Sequence, residues 1–206
     1  LATCDAGGKF GPFDGQMFVA EFTDAKISRV FMEKVDGEYQ GACFPFVGGF
    51  ASGIVRLTFA PDGSLMVGMT SRGWSSLGTK AYGLQRLRYN GVAPFAIKEM
   101  KARSDGFELV FTKPVDVARA GDVASYRMTN YTLFYSGAYG SDEIQTAPNA
   151  ILSAQVASDR MSVRLKVAGL RELYIHELHA DGVRSAGGEA LDHADAYYTL
   201  NRLPKN

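Results

Sequence analysis

The sequence predicts an all-β fold in two halves, and three observations lead to this prediction. The 206 residues include 23 glycines, 13 phenylalanines, 10 tyrosines and one tryptophan, a composition that favours strands and tight turns. The first half contains a degenerate repeat of paired strands. The second half contains a run of short strands separated by turns. We therefore expect one domain over residues 1–93 and another over residues 94–206.

Charge and hydropathy exclude two classes of partner. The 22 Lys and Arg residues balance the 22 Asp and Glu residues, which argues against the basic stripe that binds nucleic acid or an anionic membrane. No run approaches the roughly 20 apolar residues of a membrane-spanning helix, so we expect no transmembrane segment. The sequence starts at Leu1, not Met, and we therefore expect it to begin inside a longer gene product or after processing.

The repeat lies in the first half of the chain. Residues 15–22 align with residues 63–70, and a second strand follows each of them, at 27–33 and 84–89. Both second strands carry an apolar-x-Arg-apolar pattern, with Arg29 and Arg86 as the arginines. A repeat of this length built from short strands is typical of β-propeller blades, although any two β-hairpins share some of the pattern. The half is predicted to be a partial propeller or a small sandwich.

The two repeats differ in the loop between their strands. The second repeat has a long loop over residues 71–83, which carries the only tryptophan, Trp74. Long loops on a rigid β scaffold often bind ligands, so Arg72, Trp74 and Tyr82 are candidate binding residues. The alternative is that Trp74 fills the underside of the loop.

A turn-rich junction over residues 90–94 separates the repeat from a different pattern. Predicted strands follow at 95–102, 107–112, 125–135, 150–156, 162–167, 173–179 and 196–201. Residues 116–124 are predicted to be briefly helical. This spacing of strands and turns is typical of an Ig-like β-sandwich.

The histidines do not predict a metal centre. His176 and His179 lie on a predicted strand at an odd separation, which directs them to opposite faces. His193 could meet one of them in space. The sequence also lacks a nucleophile elbow and a phosphate-binding loop, so we predict no catalytic residue, metal ligand or cofactor for this chain.

Tyrosines and cysteines leave two further possibilities open. Tyr126, Tyr131, Tyr135 and Tyr139 form a series that could stack on sugars, and Tyr131 and Tyr135 are the binding candidates among them. Cys4 and Cys43 are either a disulfide, which would imply an oxidising compartment, or two free thiols.

Several motifs resemble a known family. Residues 8–19, 41–46, 59–65 and 72–74 resemble the final blades of secreted glucose/sorbosone dehydrogenase-like β-propellers. Residues 111–116, 124–126, 183–188 and 196–201 resemble the bacterial Ig-like domain that often follows such propellers. The family oxidises sugars with pyrroloquinoline quinone, but its catalytic and cofactor-binding residues come mainly from earlier blades, which this chain lacks.

Two blades cannot close a propeller, and their open strand edges require a cover. We therefore expect a non-catalytic, periplasmic or extracellular β-protein that acts as a structural or assembly subunit. Other protein subunits would cover its open edges, and a membrane-associated redox complex is one candidate assembly. The alternatives are the C-terminal portion of a quinone-dependent sugar dehydrogenase and a carbohydrate-binding module.

Overall fold

The structure is a computed structural model and describes residues 1–138 and 140–205. It confirms the all-β prediction, with antiparallel strands throughout and two short helical segments. The strands are β1 (Ala2–Thr3), β2 (Met17–Glu21), β3 (Lys26–Val35), β4 (Glu38–Val47), β5 (Ile54–Phe59), β6 (Leu65–Thr70), β7 (Tyr82–Leu87), β8 (Ile97–Arg103), β9 (Gly106–Phe111), β10 (Arg127–Leu133), β11 (Glu143–Asn149), β12 (Ile151–Val156), β13 (Ser162–Val167), β14 (Tyr174–His179) and β15 (Asp195–Leu200).

The helical segment predicted over residues 116–124 is confirmed as a short helix and a 3-10 turn. Helix α1 spans Val117–Gly121, and its N-cap Asp116 accepts a hydrogen bond from the Arg119 N–H at 2.8 Å. The 3-10 turn spans Val123–Ser125. Among the described residues, no helix has the length and apolar character needed to cross a membrane.

The chain divides into two compact units. Unit 1 comprises Leu1–Phe31 and Cys43–Ala93, and unit 2 comprises Met32–Ala42 and Pro94–Asn206. The division after Ala93 falls where the turn-rich junction was predicted, but the hairpin tip over residues 32–42 groups with the second unit. The assignment of domains to residues 1–93 and 94–206 stays a prediction.

Unit 1 has an aromatic core. The Phe18 ring lies 4.9 Å from Phe46 and 5.8 Å from Phe59, measured between centroids, and Phe10 lies 5.1 Å from Phe59. The large contact areas of such rings supply much of the apolar burial in a small β unit. Strands β5, β6 and β7 form a separate three-stranded sheet within this unit.

The sequence repeat has a structural counterpart in unit 1. Phe18 pairs with Arg29 across β2 and β3, and Met66 pairs with Arg86 across β6 and β7. These are the same positions of the two aligned segments. Each arginine also binds the polar side chain that precedes the first strand of its repeat, Gln16 for Arg29 and Ser64 for Arg86. The two hairpins therefore share register and side-chain contacts, which exceeds a generic resemblance between hairpins.

Unit 2 contains two antiparallel sheets whose side chains meet in a core. One has the order β12-β13-β9-β8, and the other contains β15-β14-β10-β11 with the first part of β4 beside β15. Phe107 of the first sheet lies 5.0 Å from Tyr198 and 5.6 Å from His176 of the second, between ring centroids. All three side chains are fully buried.

The hairpin tip is attached to unit 2 by two polar side chains. The Glu33 carboxylate accepts hydrogen bonds from the Ala102 N–H at 2.7 Å and the Tyr198 hydroxyl at 2.5 Å. The buried Gln40 accepts from the backbone N–H groups of Asn201 and Arg202 at 3.0 and 2.8 Å. Because these bonds satisfy buried polar groups, the tip belongs to the second unit.

Candidate surface on strand β7

The predicted binding residues of unit 1 lie in an exposed apolar segment. Within residues 74–84, Trp74, Leu77, Tyr82 and Leu84 are 55%, 75%, 79% and 69% exposed, and Arg72 is also exposed. Because more than half of Trp74 is exposed, most of its surface faces solvent and does not fill the underside of the loop. Sequence reasoning named Arg72, Trp74 and Tyr82 but missed Leu77 and Leu84.

Strand β7 is the last strand of its sheet, and its two faces differ. Gly83, Gln85 and Leu87 pair with Met69, Val67 and Leu65, which are buried. The alternate residues Tyr82, Leu84 and Arg86 share the opposite face and are exposed. We call these three residues the β7 edge. A Tyr-x-Leu-x-Arg alternation is the signal that could have found it, although the sequence does not show that the strand lies at an edge.

The backbone groups of the β7 edge point away from β6. The Ser71 N–H donates to the Ala81 carbonyl at 2.9 Å, and the register from Thr70–Tyr82 to Leu65–Leu87 has no shift. Hydrogen-bonded and non-hydrogen-bonded pairs alternate along an antiparallel ladder. Residues 81, 83, 85 and 87 therefore bond to β6, while the N–H and C=O groups of Tyr82, Leu84 and Arg86 face outward. Within residues 1–138 and 140–205, the sheet order places no strand on that side.

Strand β11, the last strand of the β15-β14-β10-β11 sheet in unit 2, is built differently. It contains Pro148, which cannot donate a hydrogen bond, and Gln145 has a positive φ of 57°. Its pairing with β10 also shifts register. Proline, bulges and irregular backbone are the usual means of protecting an edge from pairing with another chain. Strand β7 has none of these features.

The loop before β7 is fixed by backbone hydrogen bonds. The Leu77 N–H donates to the Thr23 carbonyl at 2.7 Å, and the Lys80 N–H donates to the Ala51 carbonyl at 2.8 Å. In return, the Gln85 side chain accepts from the Ala51 N–H at 2.8 Å. Such anchoring lowers the entropy that a binding partner would have to remove from the loop.

Gly78 allows the close approach of this loop to residues 51–52. A Cβ at Gly78 would lie 2.4 Å from the Ser52 Cα and 2.5 Å from the Ser52 nitrogen, and backbone atoms cannot rotate away. We expect Gly78→Ala to displace the loop and to lower the free energy of unfolding by about 2 kcal/mol. Urea unfolding followed by the fluorescence of Trp74, the only tryptophan, measures both effects.

Gly48→Ala is the matched control for this prediction. A Cβ at Gly48 would meet only the Lys26 Cβ, at an ordinary 3.6 Å. The control should unfold like the parent chain and keep its tryptophan emission. Equal behaviour of the two variants would contradict the steric role of Gly78.

The tyrosine candidates of unit 2 occupy different environments. Tyr131 is buried, and burial raises the pKa of its hydroxyl to about 12. Tyr126 is also buried, with its hydroxyl donating to the Ala120 carbonyl at 2.7 Å. Tyr135 is 98% exposed, and Tyr139 lies outside the described residues. Of the described tyrosines in the series, Tyr135 alone presents its ring to solvent.

Cys4 and Cys43 are free thiols in the structure. The Cys4 thiol donates to the Asp14 carboxylate at 3.3 Å, and burial raises its pKa to about 12. Burial also raises the pKa of Cys43. Because the thiolate is the reactive form, a raised pKa lowers the reactive fraction of both cysteines at neutral pH.

The histidines lie as the strand prediction requires. His176 and His179 are on β14, and His176 is fully buried while His179 is partly exposed beside Asp195, 2.7 Å away, and Glu177, 3.3 Å away. Among the residues that the structure describes, no group of three or more histidine, cysteine or carboxylate side chains is arranged so that it could hold a metal ion.

Comparisons with known proteins found no relative of this chain. No protein-family model, no curated protein and no solved structure matches this chain.

Proposed function

We propose that this chain is a non-catalytic structural or assembly subunit that works outside the cytoplasm and binds another protein subunit through the β7 edge. The proposal is supported above all by one observation. Strand β7 is a regular edge strand with outward-facing backbone groups, and two of its exposed side chains, Tyr82 and Leu84, are large and apolar.

Strand addition is the binding mode that fits this edge. An extended segment of a partner can extend a sheet by pairing with outward N–H and C=O groups, and side-chain contacts on alternate residues then provide selectivity. Tyr82 and Leu84 lie on one face of the strand, so a paired segment would contact both with its own alternate residues. Covering these side chains also removes apolar surface that otherwise favours aggregation.

Leu84→Lys is expected to release the subunit from its assembly. A lysine at the centre of the edge would lose the hydration of its ammonium group when a second strand pairs there. Lysines protect natural strand edges against pairing in this way. When the gene product is extracted natively from its source, the parent protein should migrate well above its own mass and the variant at its own mass. Size-exclusion chromatography with light scattering measures the shift.

Leu152→Lys is the matched control. Leu152 is 56% exposed on β12, the last strand of another sheet, so the change in charge and hydropathy is the same. It should leave the native mass unchanged. A parent protein that migrates at its own mass in the native extract would overturn the proposed function.

Carbohydrate binding is the second candidate and is favoured by the exposed rings of Trp74 and Tyr82. Exposed aromatic faces can stack on sugar rings. A glycan array tests this function, and saturable binding that Trp74→Ala abolishes would support it. An empty array would remove it.

A further inference from the structure

The β7 edge can pair with itself. Its outward backbone groups belong to Tyr82, Leu84 and Arg86, and Leu84 is the midpoint of the three. A two-fold axis at Leu84 would place Leu84 opposite Leu84 of a second copy and Tyr82 opposite Arg86 of that copy. All of these are hydrogen-bonded pairs, in which each residue exchanges its N–H···O bonds with its partner. A single register therefore uses every outward group of the edge.

Side chains in this register are complementary. The leucines form an apolar contact at the axis, and each tyrosine ring faces a guanidinium, which aromatic faces attract. Arg86 already binds Asp62 and Ser64, so its guanidinium is held in place on this face. On the opposite face of the strand, Gly83 would lie across from Gln85 of the second copy, a small residue against a long one.

Shifted registers are less favourable. A two-fold axis at Arg86 would place the two Arg86 side chains opposite each other, and like charges at directly opposed positions are destabilising. An axis at Tyr82 would leave Arg86 unpaired and would place Leu84 opposite Lys80, which precedes the strand. An axis at Gly83 or Gln85 would leave Arg86 or Tyr82, respectively, without a partner from the β7 edge. The Leu84-centred register alone pairs all three residues of the edge with one another, as a closed two-fold interface requires.

We propose that the protein is a homodimer in which two β7 strands pair in antiparallel orientation about Leu84. This inference rests on the proposed function and names the occupant of the edge as a second copy of this chain.

The first experiment uses the purified chain alone. Light scattering after size exclusion should give twice the 22.3 kDa of the chain, and Leu84→Lys should give the single-chain mass, with Leu152→Lys dimeric. Circular dichroism confirms that the monomeric variant is folded. A purified parent chain that is monomeric at about 100 µM has a dimer dissociation constant well above that concentration, and this result would overturn the dimer.

A pair of substitutions at Tyr82 tests the register. Tyr82→Glu places a carboxylate opposite Arg86 of the second copy, whereas Tyr82→Lys places a like charge there. Both remove the ring, so a non-specific apolar contact would be weakened equally. We expect the dimer dissociation constant of the lysine variant to exceed that of the glutamate variant by about tenfold. Equal constants would overturn the Leu84-centred register.

Failure of the dimer can be distinguished from failure of the proposed function. If the purified chain is monomeric but the natively extracted protein has a larger mass that Leu84→Lys abolishes, the edge binds a different subunit and the homodimer is wrong. If neither preparation shows an assembly, the proposed function itself is wrong.

Discussion

Arg29→Lys is expected to lower the free energy of unfolding of unit 1 by about 3 kcal/mol. Arg29 is 2% exposed, and its guanidinium carbon lies 4.3 Å from the ring centroids of both Phe13 and Phe44. It also donates a hydrogen bond to Gln16. A planar, weakly hydrated guanidinium can stack between two rings and still donate in its own plane.

Lysine keeps the charge but not this geometry. Its compact ammonium is strongly hydrated, so burial between two rings costs more than burial of the guanidinium, and it cannot stack on both faces. The lost contacts and the desolvation cost act in the same direction. The loss of stability should appear as a lower urea midpoint, while the slope of the unfolding free energy against urea concentration stays unchanged.

Arg86→Lys provides the control, because Arg86 occupies the same register position in the second repeat. Its side chain is 45% exposed and paired with Asp62, and exposed ion pairs contribute at most about 1 kcal/mol. A lysine there retains the charge in water. If the two variants lost similar amounts of unfolding free energy, the burial of Arg29 would not determine how much this residue stabilises unit 1.

The repeat could be predicted from the sequence, but the different fates of its arginines could not. Pattern alone identifies two hairpins with arginine at one position, because alternation and turn residues are local properties. Which arginine is buried depends on aromatic residues that other segments bring to it, such as Phe13 and Phe44. That information is tertiary and is absent from the hairpin itself.

Strands β4 and β11 were missed for different reasons. β4 follows Asp36 and Gly37, both with positive φ, and an Asp-Gly pair between apolar runs is a strong hairpin signal that was available in the sequence. β11 contains Pro148, which argues against a central strand. Proline is tolerated there because the strand lies at an edge, and edge position depends on the fold.

The candidate surface shows the same limit. Trp74 and Tyr82 were identified because aromatic residues in a long loop are conspicuous. Leu84 and Arg86 resemble ordinary strand residues, and their importance follows only from the position of β7 at the end of its sheet. Edge position depends on which strands pair, and local alternation does not determine pairing.

Lowering the pH from 7 to 4 is expected to remove about 3 kcal/mol of the stability of unit 2 through His176 alone. Burial lowers the pKa of this histidine to about 4, and the nearby Arg171 acts in the same direction. The ring lies against Phe107 at 5.6 Å, and its Nε2 accepts a hydrogen bond from the Arg171 N–H at 3.4 Å. The fold therefore holds the neutral form.

The sign follows from proton uptake by the two states. Below its ordinary pKa of 6.5 the histidine of the unfolded chain binds a proton, whereas the folded chain does not bind one until about pH 4. Falling pH thus stabilises the unfolded state across this window. The stability that His176 contributes is constant above about pH 7. It changes little below pH 4, where the histidine is protonated in both the folded and the unfolded chain.

His176→Gln isolates the effect, since glutamine can accept the Arg171 hydrogen bond but does not titrate. The difference in unfolding free energy between the parent chain and this variant, measured from pH 7.5 to 4, should narrow by about 3 kcal/mol as the pH falls. Carboxylate titration is common to both proteins and cancels in the difference. His193→Gln, at a partly exposed histidine, controls for the exchange of histidine for glutamine and should unfold at the parental urea midpoint at pH 7.5. A difference that does not change with pH would mean that His176 is not held neutral in the fold.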